Sequence, residues 1–184
     1  MKDIILTGPK HSGKTTTGKA LASLFSCDFI DIDELISQRT GKTPRQLFNE
    51  GQAVFQKAEA EALAALVDSG GSSVGSFSVE NGDGTKKRVI AAGGGIIDNS
   101  EALSILKKSG AVMVYLDISA ESAWDRITAK GELPPFLKTE NPRETHRALH
   151  ERRAAAYLQI ADIVIETEGK PPQERAAEIY SRLN

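Results

Sequence analysis

The sequence predicts an α/β fold in which a five-stranded parallel sheet is flanked by helices. Short runs rich in Ile, Val, Leu or Phe alternate with longer helical patterns along the 184 residues, and this alternation is typical of strands joined by covering helices. The short runs are almost continuously apolar, as expected of parallel strands buried on both faces. The length suits a single domain, residues 1–184, with one sizeable core.

The individual elements can be placed from these patterns. Strands are predicted at Asp3–Thr7, Asp28–Asp31, Arg88–Ala92, Ala111–Asp117 and Asp162–Glu166. Helices are predicted at Gly13–Leu24, Gln52–Val67, Ser100–Lys108, Ala120–Ala129, Pro142–Tyr157 and Pro172–Leu183. A further helix is expected to begin at Pro44, because Thr43 suits the N-cap and proline suits the first helical position.

Composition and charge narrow the classes of partner. The formal net charge is −2, so no excess of basic charge points to nucleic acid. No apolar run approaches the roughly 18–20 residues that cross a membrane, and no signal-peptide pattern follows Met1. The single cysteine, Cys27, favours a reducing compartment. We therefore expect a cytoplasmic protein with no nucleic-acid or membrane partner, and we expect it to be a monomer.

Two segments break the alternation of strands and helices. Residues 68–88 form a Gly- and Ser-rich insertion that contains Asn81-Gly82, and this composition suits either a hairpin or a mobile loop. Residues 130–142 contain three prolines and cannot form a regular helix. Because this second segment lies between two predicted helices, we expect it to act as a lid over a binding site.

The stretch GPKHSGKT lies between the first predicted strand and the first predicted helix, and it matches the phosphate-binding pattern G-x-x-x-x-G-K-[ST]. Its glycines let successive backbone N–H groups point inward as a nest for phosphate, beside the positive end of a helix. In this pattern Lys14 reaches the β- and γ-phosphates of ATP, and the Thr15 hydroxyl binds Mg²⁺. The predicted nucleotide-binding residues of the loop are Gly8, His11, Ser12, Gly13, Lys14, Thr15 and Thr16.

Two further groups of residues follow the next strands. Asp31 and Asp33 are two apart, so they share a face if the chain there is extended. One carboxylate could then hold Mg²⁺ while the other orients or deprotonates an acceptor hydroxyl, unless Asp33 only caps a helix beginning at Glu34. Gly93–Gly95 follow the third strand and either let a ligand approach the backbone or form a simple turn. Because open α/β sheets bind ligands at the carboxyl ends of their strands, all three motifs are expected to form one site.

The order of these motifs resembles the shikimate kinases, which have a nucleoside-monophosphate-kinase-like fold. The likeness rests on GPKHSGKTTTGKALA, FIDIDELI, LFNEGQAVFQKAE, AAGGGI, WDRI and RRAAAYLQIAD, which run in order through most of the chain. It implies transfer of phosphate from Mg-ATP to a hydroxyl of a small carboxylated cyclitol, with shikimate as the best single expectation. It also implies an acceptor-binding region within residues 33–67 and a lid at residues 130–142.

The resemblance implies a role for individual residues as well. Asp33 matches the aspartate that contacts the acceptor hydroxyl, and Asp31 matches the aspartate near the metal. Arg126 matches the arginine at the adenine, and Arg153 matches an arginine that binds the acceptor carboxylate. The acceptor-binding residues implied in this way are Asp33, Gln56, Gly93, Gly94, Gly95 and Arg153, and Lys14 and Asp33 are the expected catalytic residues.

Two arginine positions of the family pattern differ in this chain. FQKAE stands where the family has F-R-x-x-E, so Gln56 occupies an arginine position, and LPPFL stands where the family lid has R-P-L-L. An arginine fork binds a carboxylate through two parallel hydrogen bonds, which neither glutamine nor proline can provide. Lys57, Lys130 and Lys138 are candidate substitutes, but only as point charges.

Three hypotheses about function follow from this pattern. The chain is a shikimate kinase that uses Arg153 and a compensating lysine, a related kinase that acts on a different hydroxylated small molecule, or a nucleotide-binding module without transfer activity. Binding of ATP alone does not separate them. An increase in ADP release that depends on the acceptor does.

Overall fold

The fold was analysed in a computed structural model, which describes residues 2–68, 87–129 and 133–184. The five strands are β1 Ile4–Thr7, β2 Asp28–Asp31, β3 Arg88–Ala91, β4 Val112–Asp117 and β5 Ile163–Glu166. They form one sheet in the order β2-β3-β1-β4-β5, and every neighbouring pair is parallel. The predicted five-stranded parallel sheet is therefore confirmed.

Helices connect and cover the strands of this sheet. Their bounds are α1 Lys14–Phe25, α2 Ile32–Thr40, α3 Pro44–Glu50, α4 Gln52–Asp68, α5 Ser100–Lys108, α6 Ala120–Thr128, α7 Pro142–Ile160 and α8 Pro172–Leu183. Two short 3-10 turns lie at Ile96–Asp98 and Pro135–Leu137. Helix α3 begins as its sequence predicts, with Thr43 in a capping box and proline in the first turn.

The core lies on both faces of the sheet because the strands alternate their side chains. Ile5 of β1 belongs to an apolar cluster that includes residues of α2, α4 and α5. Ile4 and Leu6, its neighbours on the same strand, belong to a second cluster with residues of α1 and α8. Strand residues that are apolar on both faces are what a covered parallel sheet requires, so the reading of the strands from apolar runs is confirmed.

The second strand ends where it was predicted to end, but the chain that follows it is helical at once. β2 ends at Asp31 and α2 begins at Ile32, so Asp33 lies in the first helical turn and does not share a strand face with Asp31. Asp31, and not Asp33, is the N-cap, because its Oδ1 accepts a hydrogen bond of 3.0 Å from the backbone N–H of Asp33. A carboxylate at this position satisfies an amide that has no partner inside the helix.

The two irregular segments are only partly described. The insertion predicted at 68–88, with its hairpin or loop, falls almost entirely outside the described residues, as do residues 130–132 of the segment expected to be a lid. The rest of that segment contains the turn at Pro135–Leu137 and leads into α7. Among the helices that the structure describes, each is too short or too polar to cross a membrane.

Candidate nucleotide and acceptor site

The sheet order brings the three predicted motifs together. Strands β2, β3 and β1 are adjacent and parallel, so their carboxyl ends lie at one edge of the sheet. The segments that follow them touch one another: the backbone of Lys10 in the phosphate loop packs against Gly94 so closely that a Cβ on that glycine would lie 2.8 Å from the Lys10 nitrogen. The three motifs therefore lie at one edge of the sheet, and their use as one binding site stays a prediction.

The phosphate loop has an irregular backbone that its glycines make possible. Gly8 has φ of 136° and Gly13 has φ of 93°, and His11 between them also adopts a positive φ of 65°. The Lys14 ammonium bridges back across the loop and donates to the carbonyl oxygens of Gly8 at 2.9 Å and Pro9 at 2.8 Å. Thr16 donates to the Gly13 carbonyl at 3.0 Å. The loop is thus shaped by its own hydrogen bonds, with lysine at its centre.

The charge on Lys14 is sensitive to its surroundings. Burial within the loop lowers the pKa of its ammonium to about 8, although the nearby carboxylates of Asp33 and Asp31 oppose the shift. An anionic phosphate placed beside this ammonium would favour the charged form and raise the pKa again. The lysine is therefore placed to respond to a phosphate ligand.

Thr15 and Asp31 form a pair of oxygen donors at the mouth of the loop. The Thr15 hydroxyl donates to Oδ2 of Asp31 at 2.7 Å, while the other carboxylate oxygen caps α2. The sequence predicted both residues as metal ligands but did not predict that they would be in direct contact. Hydroxyl and carboxylate oxygens are the ligands that a small hard cation such as Mg²⁺ prefers.

Asp33 extends from the first turn of α2 toward the glycines that follow β3. Its Oδ1 would lie 3.6 Å from a Cβ placed on Gly93. The side chain is accessible to solvent, but the surrounding protein raises its pKa, the charge of Asp31 raises it further, and Lys14 acts in the opposite direction. A carboxylate beside the phosphate loop with a raised pKa has the properties of a general base.

Glu59 of α4 lies beneath the same glycines and is completely buried. Its Oε2 accepts a hydrogen bond of 3.0 Å from the Asn99 side chain, and its Oε1 has no partner among the described atoms. That oxygen lies so close to Gly93 that any Cβ there would collide with it. Burial raises the pKa of Glu59 to about 7, against the opposing hydrogen bond from Asn99. The family pattern F-R-x-x-E has an arginine where this chain has Gln56, so the family pattern places a cation on this helix, three residues before the glutamate.

Gln56 does not extend its amide as a carboxylate ligand. Its Nε2 donates instead to the backbone carbonyl of Asp98 at 3.0 Å. Arg153 of α7 has an internal partner as well, because its Nε and Nη2 lie 2.8 and 2.7 Å from Oδ2 of Asp98. Arg152 donates to the other oxygen of the same carboxylate at 2.7 Å. Both arginines hold Asp98 in its ionised form and lower its pKa, although burial opposes them.

The segment expected to be a lid packs over this arginine cluster. Phe136 lies with its ring centroid 5.8 Å from the Arg153 guanidinium and 6.4 Å from the ring of Phe48 in α3. Leu137 beside it is fully buried. The described part of this segment therefore presents an aromatic ring to Arg153 and contains no arginine. A role in closure stays a prediction.

The two candidate replacement lysines that the structure describes, Lys57 and Lys138, are both exposed to solvent. The side chain of Lys57 is 76% exposed and its Nζ lies 3.8 Å from Glu61 on the same outer face of α4. Lys130 lies outside the described residues. Lys138 follows the buried Leu137 and is itself exposed. The second cation that pairs with Asp98 beside Arg153 is Arg152, which the sequence analysis did not single out.

Other residues near the site were only partly predicted. Arg126, expected at the adenine, donates from Nη1 to the His11 carbonyl at 2.9 Å, so it contacts the phosphate loop, and its role at a base stays a prediction. Ser12 is buried, with its Oγ unpartnered among the described atoms. Arg175 and Asp98 were missed, because an arginine in a C-terminal helix and an aspartate in a glycine-rich turn carry no motif of their own.

Comparison with known proteins agrees with this geometry. The family model described as shikimate kinase matches residues 10–184. A shikimate kinase from Marinomonas sp. (strain MWYL1) is 35% identical over 182 residues, which are 98% of this chain and 91% of the relative.

Two solved structures are similar over the whole fold. The shikimate kinase from Acinetobacter baumannii in complex with shikimate has a TM-score of 0.82 and 30% identity, and the match covers 100% of this chain and 93% of that one. The shikimate kinase from Aquifex aeolicus has a TM-score of 0.75 and 32% identity, with 98% and 95% covered. Together with the phosphate loop, the two aspartates and the glycine triplet, these matches show that the chain belongs to the shikimate kinase family.

Proposed function

We propose that this protein transfers the γ-phosphoryl group of ATP to a hydroxyl group of shikimate. The observation that carries the proposal is the position of Asp33, beside Lys14 of the phosphate loop and against the space above Gly93. A base and a phosphate-binding lysine at one point are what transfer to a hydroxyl requires. The similarity to a shikimate kinase solved with shikimate supports this choice of acceptor.

The proposed reaction follows from the roles of these two residues. Asp33 accepts the proton of the acceptor hydroxyl as the oxygen forms its bond to the γ-phosphorus. The bond from that phosphorus to the bridging oxygen of ADP breaks, and the negative charge that develops on the β-phosphate is stabilised by Lys14 and the loop amides. The raised pKa of Asp33 makes it a stronger base once ionised.

Thr15 and Asp31 fit a Mg²⁺ ion that accompanies the nucleotide. Their oxygens are 2.7 Å apart, and both are hard donors of the kind that magnesium selects. Thr15 and Asp31 would hold this ion, which would supply positive charge that offsets part of the negative charge of the phosphates. The capping role of Asp31 fixes the direction of its carboxylate, so that the second oxygen points to Thr15.

A second acceptor is favoured by the composition of the acceptor region. Gln56 bonds to a backbone carbonyl, the described part of the lid carries no arginine, and Arg153 already has a carboxylate partner in Asp98. A related hydroxylated molecule without a carboxylate would lose less binding free energy than shikimate does from the absence of arginine contacts. The two candidates are separated by comparing kcat/KM for shikimate with that for neutral cyclitols of similar size.

The direct test is release of ADP from Mg-ATP with and without shikimate, in the wild type and in Asp33→Asn. We expect shikimate to increase the rate of ADP release in the wild type. In Asp33→Asn this shikimate-dependent rate should be about 10²- to 10⁴-fold lower, as for removal of a general base. Glu34→Gln is the matched control, because Glu34 is an exposed carboxylate in the same helical turn. If shikimate has no effect in the wild type but a neutral cyclitol does, the second acceptor replaces the first.

A further inference from the structure

An arginine outside every motif reaches the phosphate loop from behind. Arg175 lies in α8 and is only 6% exposed. Its Nη1 donates to the carbonyl of Ser12 at 3.2 Å and to the hydroxyl of Thr17 at 3.3 Å, and its Nε donates to the carbonyl of Lys170 at 2.9 Å. The C-terminal helix is therefore joined to the loop through a buried guanidinium.

The described acceptors of Arg175 are all neutral. Two are backbone carbonyls and one is a hydroxyl, so these contacts do not cancel its positive charge, which a guanidinium keeps at every physiological pH. A buried charge with neutral partners extends its field further than a charge screened by solvent. This field acts directly behind the backbone that would hold phosphate.

The contact with Ser12 also sets the direction of a loop amide. In a planar trans peptide the carbonyl and the following N–H point in opposite directions. Because the Ser12 carbonyl points to Arg175, the N–H of Gly13 points away from it, and a hydrogen bond at one end of a peptide strengthens the donor at the other. The Arg126 bond to the His11 carbonyl acts on the preceding peptide in the same way.

The packing at Gly13 shows how tightly this arrangement is built. Gly13 has a φ of 93°, and a Cβ on it would collide with Nη1 of Arg175. Only glycine allows both the loop backbone and the approach of the guanidinium. Gly13, which the phosphate-binding pattern requires, is thus also the residue against which the Arg175 guanidinium packs.

We propose that Arg175 is a positioning residue for the nucleotide phosphates, which holds the Ser12–Gly13 peptide with its N–H directed into the loop and adds positive potential behind it. The inference rests on the proposed ATP-dependent function, but it concerns nucleotide binding alone and requires no acceptor. It assigns to α8 a part in phosphate recognition, whereas the packing of α8 on α1 would by itself indicate only a structural role.

The test compares the binding of ADP and AMP by calorimetry in the presence of Mg²⁺. We expect Arg175→Met to weaken ADP binding about 10- to 100-fold, as for loss of hydrogen bonds from a charged group. AMP lacks the β-phosphate that the loop holds, so its affinity should change by less than about twofold. Arg175→Lys keeps the charge with a simpler donor and is expected to recover part of the ADP affinity.

The matched control is Arg182→Met, on the exposed side of the same helix, where the guanidinium binds the Val164 carbonyl and Glu178. This control should leave both affinities unchanged. Equal losses for ADP and AMP, or no loss for either, would overturn the proposal and leave Arg175 a structural residue. If Arg175→Met does not fold, the ratio of ADP to AMP affinity in Arg175→Lys decides between these outcomes. Neither result depends on whether shikimate is the acceptor.

Discussion

The proposed nucleotide half and the proposed acceptor half of this site are built in different ways. The nucleotide half is one continuous loop, whose backbone is held by Lys14 and by two arginines that bind its outer carbonyls. The acceptor half is assembled from side chains of α2, α4, α7 and the turn after β3. A backbone cradle depends on chain conformation rather than on the chemistry of individual side chains. A clamp made of separate side chains can change its charge one residue at a time.

The acceptor half shows what such a change does to the residues that remain. Where the family pattern has an arginine, Gln56 bonds to a carbonyl, and the buried Glu59 beside it keeps an oxygen without a partner among the described atoms. Arg153 is retained but bonds to Asp98. Beside Gln56 there are therefore a buried carboxyl whose pKa is raised to about 7 and an ion pair between Arg153 and Asp98.

The largest effect expected from this difference is a pH-dependent loss of stability caused by Glu59. Its pKa is about 7 in the folded protein against 4.5 for a free side chain, so the folded state binds this proton more tightly. The group stabilises the fold fully at acid pH, and that contribution is lost as the pH rises from about 4.5 to about 7. Each pH unit in this window is worth about 1.4 kcal/mol.

Urea unfolding at pH 5 and pH 8 measures this effect. The free energy of unfolding of Glu59→Gln relative to the wild type should rise by about 2–3 kcal/mol between the two values, because the variant carries no proton to lose. Glu61→Gln, an exposed position on the same helix, should show no such rise. Parallel pH profiles for Glu59→Gln and the wild type would mean that Glu59 is ionised throughout.

A smaller effect is expected when the missing cation is restored. Gln56→Arg places a guanidinium near Glu59 and the acceptor region, and we expect the KM for shikimate to fall about tenfold, as for one added hydrogen bond to a charged group. The steady-state KM for ATP should not change. Gln52→Arg adds the same charge at an exposed position of the same helix, and it should leave both constants as they are. An unchanged KM for shikimate in Gln56→Arg would show that no acceptor carboxylate binds there.

The smallest effect is expected at Lys57. Because its side chain is largely exposed and lies near Glu61, Lys57→Gln should change the KM for shikimate by less than about twofold, in line with the weak contribution of exposed ion pairs. A large increase would show that the lysine turns inward when the acceptor binds. Comparing the KM for shikimate in Lys57→Gln and in Gln56→Arg distinguishes the effect of a charge inside the acceptor region from that of a charge on the outer face of α4.

The sequence predicted the fold and the place of the glycine-rich loop between β1 and α1 well, for a physical reason. Runs of apolar residues and the spacing of glycine, lysine and threonine determine backbone geometry, which the motif encodes within a few neighbouring residues. The end of β2 at Asp31 was predicted correctly, but the helical position of Asp33 was not, because Asp31 is both the strand end and the helix cap and only the observed capping bond shows this.

The acceptor half was less accessible to sequence reasoning. The pairing of Arg153 with Asp98 joins residues 55 apart in the chain, and no local pattern encodes such a contact. The position of Glu59 could be noticed from the sequence, since it is a carboxylate on the apolar face of an alanine-rich helix. That its Oε1 has no partner among the described atoms is seen only in the structure. The insertion at 68–88, the monomeric state and the cytoplasmic location stay predictions.

The independence of the two halves is tested most directly by measuring two constants in two variants. The dissociation constant for ADP and the KM for shikimate are determined in Arg175→Met and in Gln56→Arg. Changes at separated sites without shared partners are expected to be independent, so Arg175→Met should weaken only ADP binding and Gln56→Arg should lower only the KM for shikimate. If either variant moves both constants by the same factor, the two halves act as one unit and the contrast between a fixed cradle and a changeable clamp is wrong.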